Sequence, residues 1–215
     1  MIHFNSQIAF EPITDLNPSQ DEIKNEPMLF NCNLEYALKL GGNLTKAFLI
    51  NLSNEFTNSP DLVIDSRVHM LMPGFYPCIP GFHCDDVSRE RSDGQPNHID
   101  PSYRSIHCMM ICGDASRTEF ALGEFDLEDV PIGEKVYKVW HPQVQQMVID
   151  GKLKSLHARQ NYLYYFDSDS WHQGTAALKN GWRFFIRATI NTTRKPTNEL
   201  RRQTQVYLPN PMEGW

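Results

Sequence analysis

Apolar positions along the chain change their period twice, and the changes divide it into three stretches. Residues 1 to 31 carry Pro12, Pro18 and Pro27 among polar residues. This predicts an irregular arm, with one short strand around Ile8 to Phe10. From Asn33 the spacing becomes helical: Leu34, Ala37 and Leu38, then Leu44, Phe48, Leu49, Leu52 and Phe56, interrupted at Gly41-Gly42. Two short amphipathic helices fit that pattern, each with an apolar face that needs a sheet to cover.

After Pro60 the period falls to two. Val63 to Met72 alternates as a half-buried strand. Further strands are expected at Arg104 to Ile111, Thr118 to Phe125, Lys135 to Trp140, Asn161 to Phe166, Arg183 to Asn191 and Thr204 to Leu208, with a helical turn or two at Val144 to Ile149. Residues 86 to 104, rich in charge with Gly94, Pro96 and Pro101, form a long loop and a candidate lid. Many strands preceded by helices, without regular alternation, predict a mainly β (α+β) fold. It would be an antiparallel sandwich or barrel with the N-terminal helices packed on one sheet. No internal repeat is present, and 215 residues suit a single domain, 1–215.

Composition changes this picture little. The chain is 40% hydrophobic and 21% charged, enough for a core, and its net charge of -6 with a pI near 5.7 argues against a protein that holds nucleic acid through phosphates. There is no basic n-region followed by an apolar h-region and no apolar run of membrane-spanning length. Five cysteines without a C-x-x-C pair suit reduced thiols. The expectation is a cytoplasmic protein with no membrane partner. Its oligomeric state is not encoded in any pattern of this sequence.

The chemistry gathers around Pro80-Gly81-Phe82-His83-Cys84-Asp85-Asp86. His83 and Asp85 stand two residues apart, so in extended chain both project from one face, with Cys84 turned away as apolar filler. His172 lies in Ser170-Trp171-His172-Gln173-Gly174. On the Arg183 strand, Arg183, Phe185, Arg187, Thr189 and Asn191 share one face, while Phe184, Ile186, Ala188 and Ile190 share the apolar other. Two arginines facing a barrel interior need anions to meet them. Two imidazoles and one carboxylate can hold Fe(II) on one face and leave positions open.

His83-Cys84-Asp85, His172 and Arg183 together resemble the signature of the Fe(II)/2-oxoglutarate-dependent dioxygenases. The spacing of the arginine is similar to the taurine-dioxygenase and phytanoyl-hydroxylase branches. The resemblance spans roughly residues 63 to 191 and implies a double-stranded β-helix, a jelly-roll or cupin-like barrel. It implies His83, Asp85 and His172 as metal ligands and catalytic centre, and Arg183 as the grip on the C5 carboxylate of 2-oxoglutarate. Thr118 would assist, and Arg187 would reach 2-oxoglutarate or an anionic substrate. The implied activity is a hydroxylase that couples oxidative decarboxylation of 2-oxoglutarate by O2 to oxidation of a small-molecule or side-chain substrate. Asp85 leaves no vacant site for chloride, against a halogenase.

Other readings use the same residues. A cupin-like metal-binding protein with a vestigial site, or a zinc-dependent isomerase or hydrolase, would employ the same three ligands but give the arginine pair no purpose. His98, in Asn97-His98-Ile99-Asp100, makes a second H-x-D, but its flanking prolines place it in a loop. His69 and His107 sit on strands, where hydrogen-bonded core histidines are the commoner case. One of Asp167 and Asp169 is expected to cap a turn, and the aromatic cluster Tyr162, Tyr164, Tyr165, Phe166 and Trp171 to pack.

Overall fold

A computed structural model describes residues 1–208. The N-terminal arm is more regular than its prolines suggest. It holds β1 (Ile2–Ser6), β2 (Ala9–Pro12), α1 (Gln20–Asn25) and β3 (Leu29–Phe30). Helix α1 starts at a capping box in which the Ser19 side chain accepts from Glu22 N and the Glu22 carboxylate accepts from Ser19 N. The two expected helices are α2 (Leu34–Leu40) and α3 (Asn43–Asn51), divided at Gly41-Gly42, and α4 (Asn54–Thr57) follows.

Strand β4 (Val63–Leu71) is succeeded by 34 residues without a regular element, then β5 (Ile106–Cys112) and β6 (Thr118–Leu127). Lys135 to Trp140 is not a strand, because Val136–Ile149 is one helix, α5, continuous through Pro142. Its stripe of Val136, Tyr137, Trp140 and Val144 is buried, and packing of that stripe outweighs the backbone bond that a proline removes. The remaining strands are β7 (Lys154–His157), β8 (Tyr162–Asp167), β9 (His172–Gly174), β10 (Gly181–Ile190) and β11 (Glu199–Leu200). The strand expected at Thr204 to Leu208 is reduced to one bridge, Tyr207 to Tyr76.

The strands form antiparallel sheets. One has the order β2-β8-β5-β10-β4. A second runs β1-β6-β7, with β9 also paired to β6, and β11 pairs with β3. The alternation on β10 sorts as its sequence dictates. Phe184, Ile186, Ala188 and Ile190 join Leu44, Phe48 and Phe56 in a core between the five-stranded sheet and the N-terminal helices. Met109, Ile111, Phe120, Tyr164 and Phe166 fill the space between the two large sheets. A third core lies on the outer face of the smaller sheet, where α5 buries Trp140 and Val144 against Phe4, Phe125 and Trp171. Helices therefore cover both sheets, and not one alone. No described helix is long and apolar enough to cross a membrane, and all five cysteines are unpaired.

Candidate metal centre

The long segment after β4 delivers the H-x-D pair. His83 forms an isolated antiparallel bridge with His172, His83 N donating to His172 O at 2.9 Å and His172 N to His83 O at 3.0 Å. That bridge joins two segments 89 residues apart, since 172 less 83 is 89. Helix α5 holds the pair from behind: Phe82 N donates to His141 Nδ1 at 2.9 Å, and Tyr137 Oη donates to Cys84 O at 2.8 Å. Asp86 adopts φ 50°, a left-handed conformation that aspartate tolerates, so the chain leaves the site directly after Asp85.

His83, Asp85 and His172 each offer a donor atom, all within 4.8 Å of one another. His83 Nε2 is 3.7 Å from Asp85 Oδ1, and His172 Nε2 is 3.2 Å from Asp85 Oδ2. On the far side of each ring, Nδ1 of His83 lies 2.8 Å from Gly81 O and Nδ1 of His172 lies 2.9 Å from Ser170 O. A carbonyl only accepts, so both Nδ1 atoms carry the proton and both Nε2 lone pairs face Asp85. A neutral imidazole has a single N–H, and here acceptors flank each ring on both sides. The donor set thus fits a cation standing between the three groups. Burial, then the neighbouring His172, pushes His83 down to about 4, which keeps it neutral and able to ligate near pH 7. Burial alone would raise Asp85, but the Arg187 guanidinium and His172 hold its carboxyl well below the usual range.

These groups open onto a cavity of about 110 Å³ between the two sheets, room for several water molecules. Arg183, Arg187 and Thr118 line it, as do Asp65, Arg67 and His69 from β4. Arg183 is 3% exposed. It donates through Nε to Ser116 O at 3.3 Å and through Nη2 to Thr118 Oγ1 at 3.2 Å, and among the described residues no carboxylate pairs with it. Burial lowers it to about 10. Arg187 instead donates to Asp85. Burial alone would lower its pKa, but Asp85, Asp65 and Asp86 raise it. Its guanidinium therefore braces the Asp85 carboxylate from within the cavity wall.

His98 is buried among Phe4, Trp140 and Trp171, with Nε2 at 3.3 Å from Tyr137 Oη, and contributes nothing to the metal cluster. His107 is a satisfied core residue between Ser105 Oγ and Thr189 Oγ1, each 3.0 Å away. His69 does line the cavity, a role its position on a strand left undecided. Asp167 caps its turn through Asp169 N and Ser170 Oγ. The loop at 86 to 104 is pinned rather than free: Arg91 bonds Asp93 and Val130 O, and Gln95 Oε1 accepts from Val136 N. Tyr137, His141, Arg67 and Asp65 were not singled out by sequence. Only recognition of α5, and of the odd face of β4, would have found them.

No protein-family model matches this sequence, and no curated protein matches it. Among solved structures, the fold is similar to HygX from Streptomyces hygroscopicus. The apo form gives a TM-score of 0.41 at 9% identity. The form with iron bound gives 0.43 at 10%, and each comparison covers 88% of this chain and 83% of that one. Overlap at this level bears on neither chemistry nor substrate.

Proposed function

We propose that this chain is an Fe(II)- and 2-oxoglutarate-dependent oxygenase, a hydroxylase built on a double-stranded β-helix. The observation that carries the reading is Arg183: a buried guanidinium without an anionic partner among the described residues, in the same cavity as three convergent metal donors. A vestigial cupin, or a zinc hydrolase, leaves that buried cation uncompensated.

His83, Asp85 and His172 would hold the iron, which when bound supplies the redox chemistry of O2 activation. Gly81 O and Ser170 O keep the two imidazoles in the Nδ1–H tautomer, and Arg187 fixes the second oxygen of Asp85. Arg183, steadied by Thr118, presents its fork to the C5 carboxylate of 2-oxoglutarate. Met109, Phe166 and Phe185 supply the apolar wall that limits water. The overall balance is 2-oxoglutarate, O2 and R–H giving succinate, CO2 and R–OH.

The test is turnover. Purified protein with Fe(II) should convert 2-oxoglutarate to succinate with stoichiometric O2 uptake, and His172→Ala should not. Succinate formation at the same rate in both proteins would sink the proposal.

A further inference from the structure

The strand beside β10 in the cavity wall carries charge that neither the metal ligands nor 2-oxoglutarate explains. On β4, Asp65, Arg67 and His69 share one face and pair in register with Arg187, Phe185 and Arg183 of β10. Asp65 is engaged by Arg194 and Arg201. Arg67 is half-buried, and among the described residues it makes no hydrogen bond or ion pair. It lies between two spaces, lining both the metal cavity and an adjoining groove of about 270 Å³. That groove is walled by Arg67, His69, Arg201, Gln203, Thr204 and Tyr207, with no acidic residue among the described residues.

Charge bookkeeping over both spaces is one-sided. Arg67, Arg183, Arg187 and Arg201 face two carboxylates, Asp65 and Asp85. His69 adds no charge, because burial and the flanking Arg183 and Arg67 lower it to about 3. Two positive charges are in excess. Fe(II) and a 2-oxoglutarate dianion cancel one another, so loading the site leaves that excess in place. Arg67 also works against its neighbours, since its charge opposes protonation of both Arg183 and Arg201. Arg201 Nε is buried without a hydrogen-bond partner among the described residues, and the Gln205 backbone is the neighbour that favours the protonated ring of His69.

We infer that the oxidised substrate is an anion, a carboxylate- or phosphate-bearing small molecule, whose anionic group is held by Arg67 and Arg201 in this groove. Arg67 lies one two-residue step, about 7 Å, along β4 from Asp65, and Asp65 stands opposite the Arg187 that braces Asp85. The bond to be oxidised is therefore a short distance from the anionic head, which points to a compact substrate. Identifying this anion as the substrate rests on the oxygenase reading. The groove as an anion site does not.

The experiment titrates phenyl phosphate and phenylacetate calorimetrically into metal-free protein, comparing wild type with Arg67→Gln, Arg201→Gln and Arg183→Gln. Saturable binding of at least one probe is expected, weakened tenfold or more by Arg67→Gln and by Arg201→Gln, and changed less than threefold by Arg183→Gln. The tighter probe assigns phosphate or carboxylate. The melting temperature of Arg67→Gln should equal or exceed that of wild type, because a repulsive charge is removed; a lowered value makes Arg67 a structural brace and overturns the inference. Binding lost in Arg183→Gln but retained in Arg67→Gln, or no binding of either probe, also overturns it. The anaerobic absorption band of Fe(II) with 2-oxoglutarate separates the two readings. If wild type lacks the band while Arg67-dependent binding persists, the oxygenase assignment fails and the groove stands. If Arg67→Gln abolishes the band and leaves probe binding intact, Arg67 serves 2-oxoglutarate and the groove inference falls.

Discussion

Replacing His172 by alanine separates what this residue does for folding from what it does for metal. Its ring packs against His83, Phe120 and Phe166, with centroids 4.8, 5.6 and 5.2 Å away, and the residue is 6% exposed. Loss of a buried ring of this size costs about 3 kcal/mol in the metal-free protein, which for a chain of this length is roughly 6–12 °C of melting temperature. Metal binding adds a second, independent quantity. A divalent ion at a hundredfold excess over its Kd stabilises the wild type by about 2.7 kcal/mol, or roughly 5–11 °C. The assay is thermal denaturation under anaerobic conditions, with and without Fe(II), repeated with Mn(II). Wild type should show both the higher baseline and the metal-induced rise, and His172→Ala should lose the rise as well as the baseline. A variant that melts lower but keeps the full metal-induced rise would refute the assignment of His172 as a ligand.

Two further outcomes concern the frame around the site. Glu26, 7% exposed, caps α3 from outside the helix: its carboxylate accepts from Leu44 N at 3.2 Å, Thr45 N at 2.9 Å and Thr45 Oγ1 at 2.6 Å, while the N-cap residue Gly42 supplies no side chain. Glu26→Ala should cost about 2–3 kcal/mol in chemical denaturation, through amides left unsatisfied. Asp65 is a different case, a buried carboxylate engaged by Arg194, Arg201 and the amide of Asn31. Asp65→Ala should cost about 3 kcal/mol, the lower end for a broken buried pair because both arginines keep some exposure. Burial alone would raise the Asp65 pKa, but Arg194 and Arg187 outweigh it and hold the group below its ordinary 3.8. A depressed folded-state pKa gives stability that is fully present above the unfolded value and lost as pH falls through the folded one. Denaturation midpoints measured downward from pH 5 should therefore fall more steeply below pH 4 in wild type than in Asp65→Ala.

Legibility in the sequence followed the strength of local pattern. β10 was legible because five alternating positions sort cleanly, and its two faces occupy a helix-covered core and a polar cavity as that alternation requires. His83, Asp85 and His172 were legible as a set because a metal-donor triad needs only spacing and a return strand. Helix α5 was not, since Val136, Tyr137, Val139 and Trp140 are all β-forming residue types and Pro142 reads as a stop. Its helical stripe of Val136, Tyr137, Trp140 and Val144 runs through that proline. Helix α5 matters to the site because it supplies His141 and Tyr137, which clamp the backbone on either side of His83. β7 and β9 were missed for another reason: four and three residues are too few to establish a period, and pairing with β6 defines them. Helix α1 did carry a signal, the Ser19 to Glu22 capping box, which the surrounding prolines obscured.

Three candidate metal donors and a buried arginine with no anionic partner among the described residues share one cavity. Anaerobic titration of the Fe(II)-loaded protein with 2-oxoglutarate, followed by visible absorption, tests most directly whether they act together. If 2-oxoglutarate chelates the iron and Arg183 grips its far carboxylate, a metal-to-ligand charge-transfer band grows saturably in wild type, with apparent affinity reduced at least tenfold in Arg183→Gln. Iron that binds without any such band, or a band of equal affinity in Arg183→Gln, would contradict it.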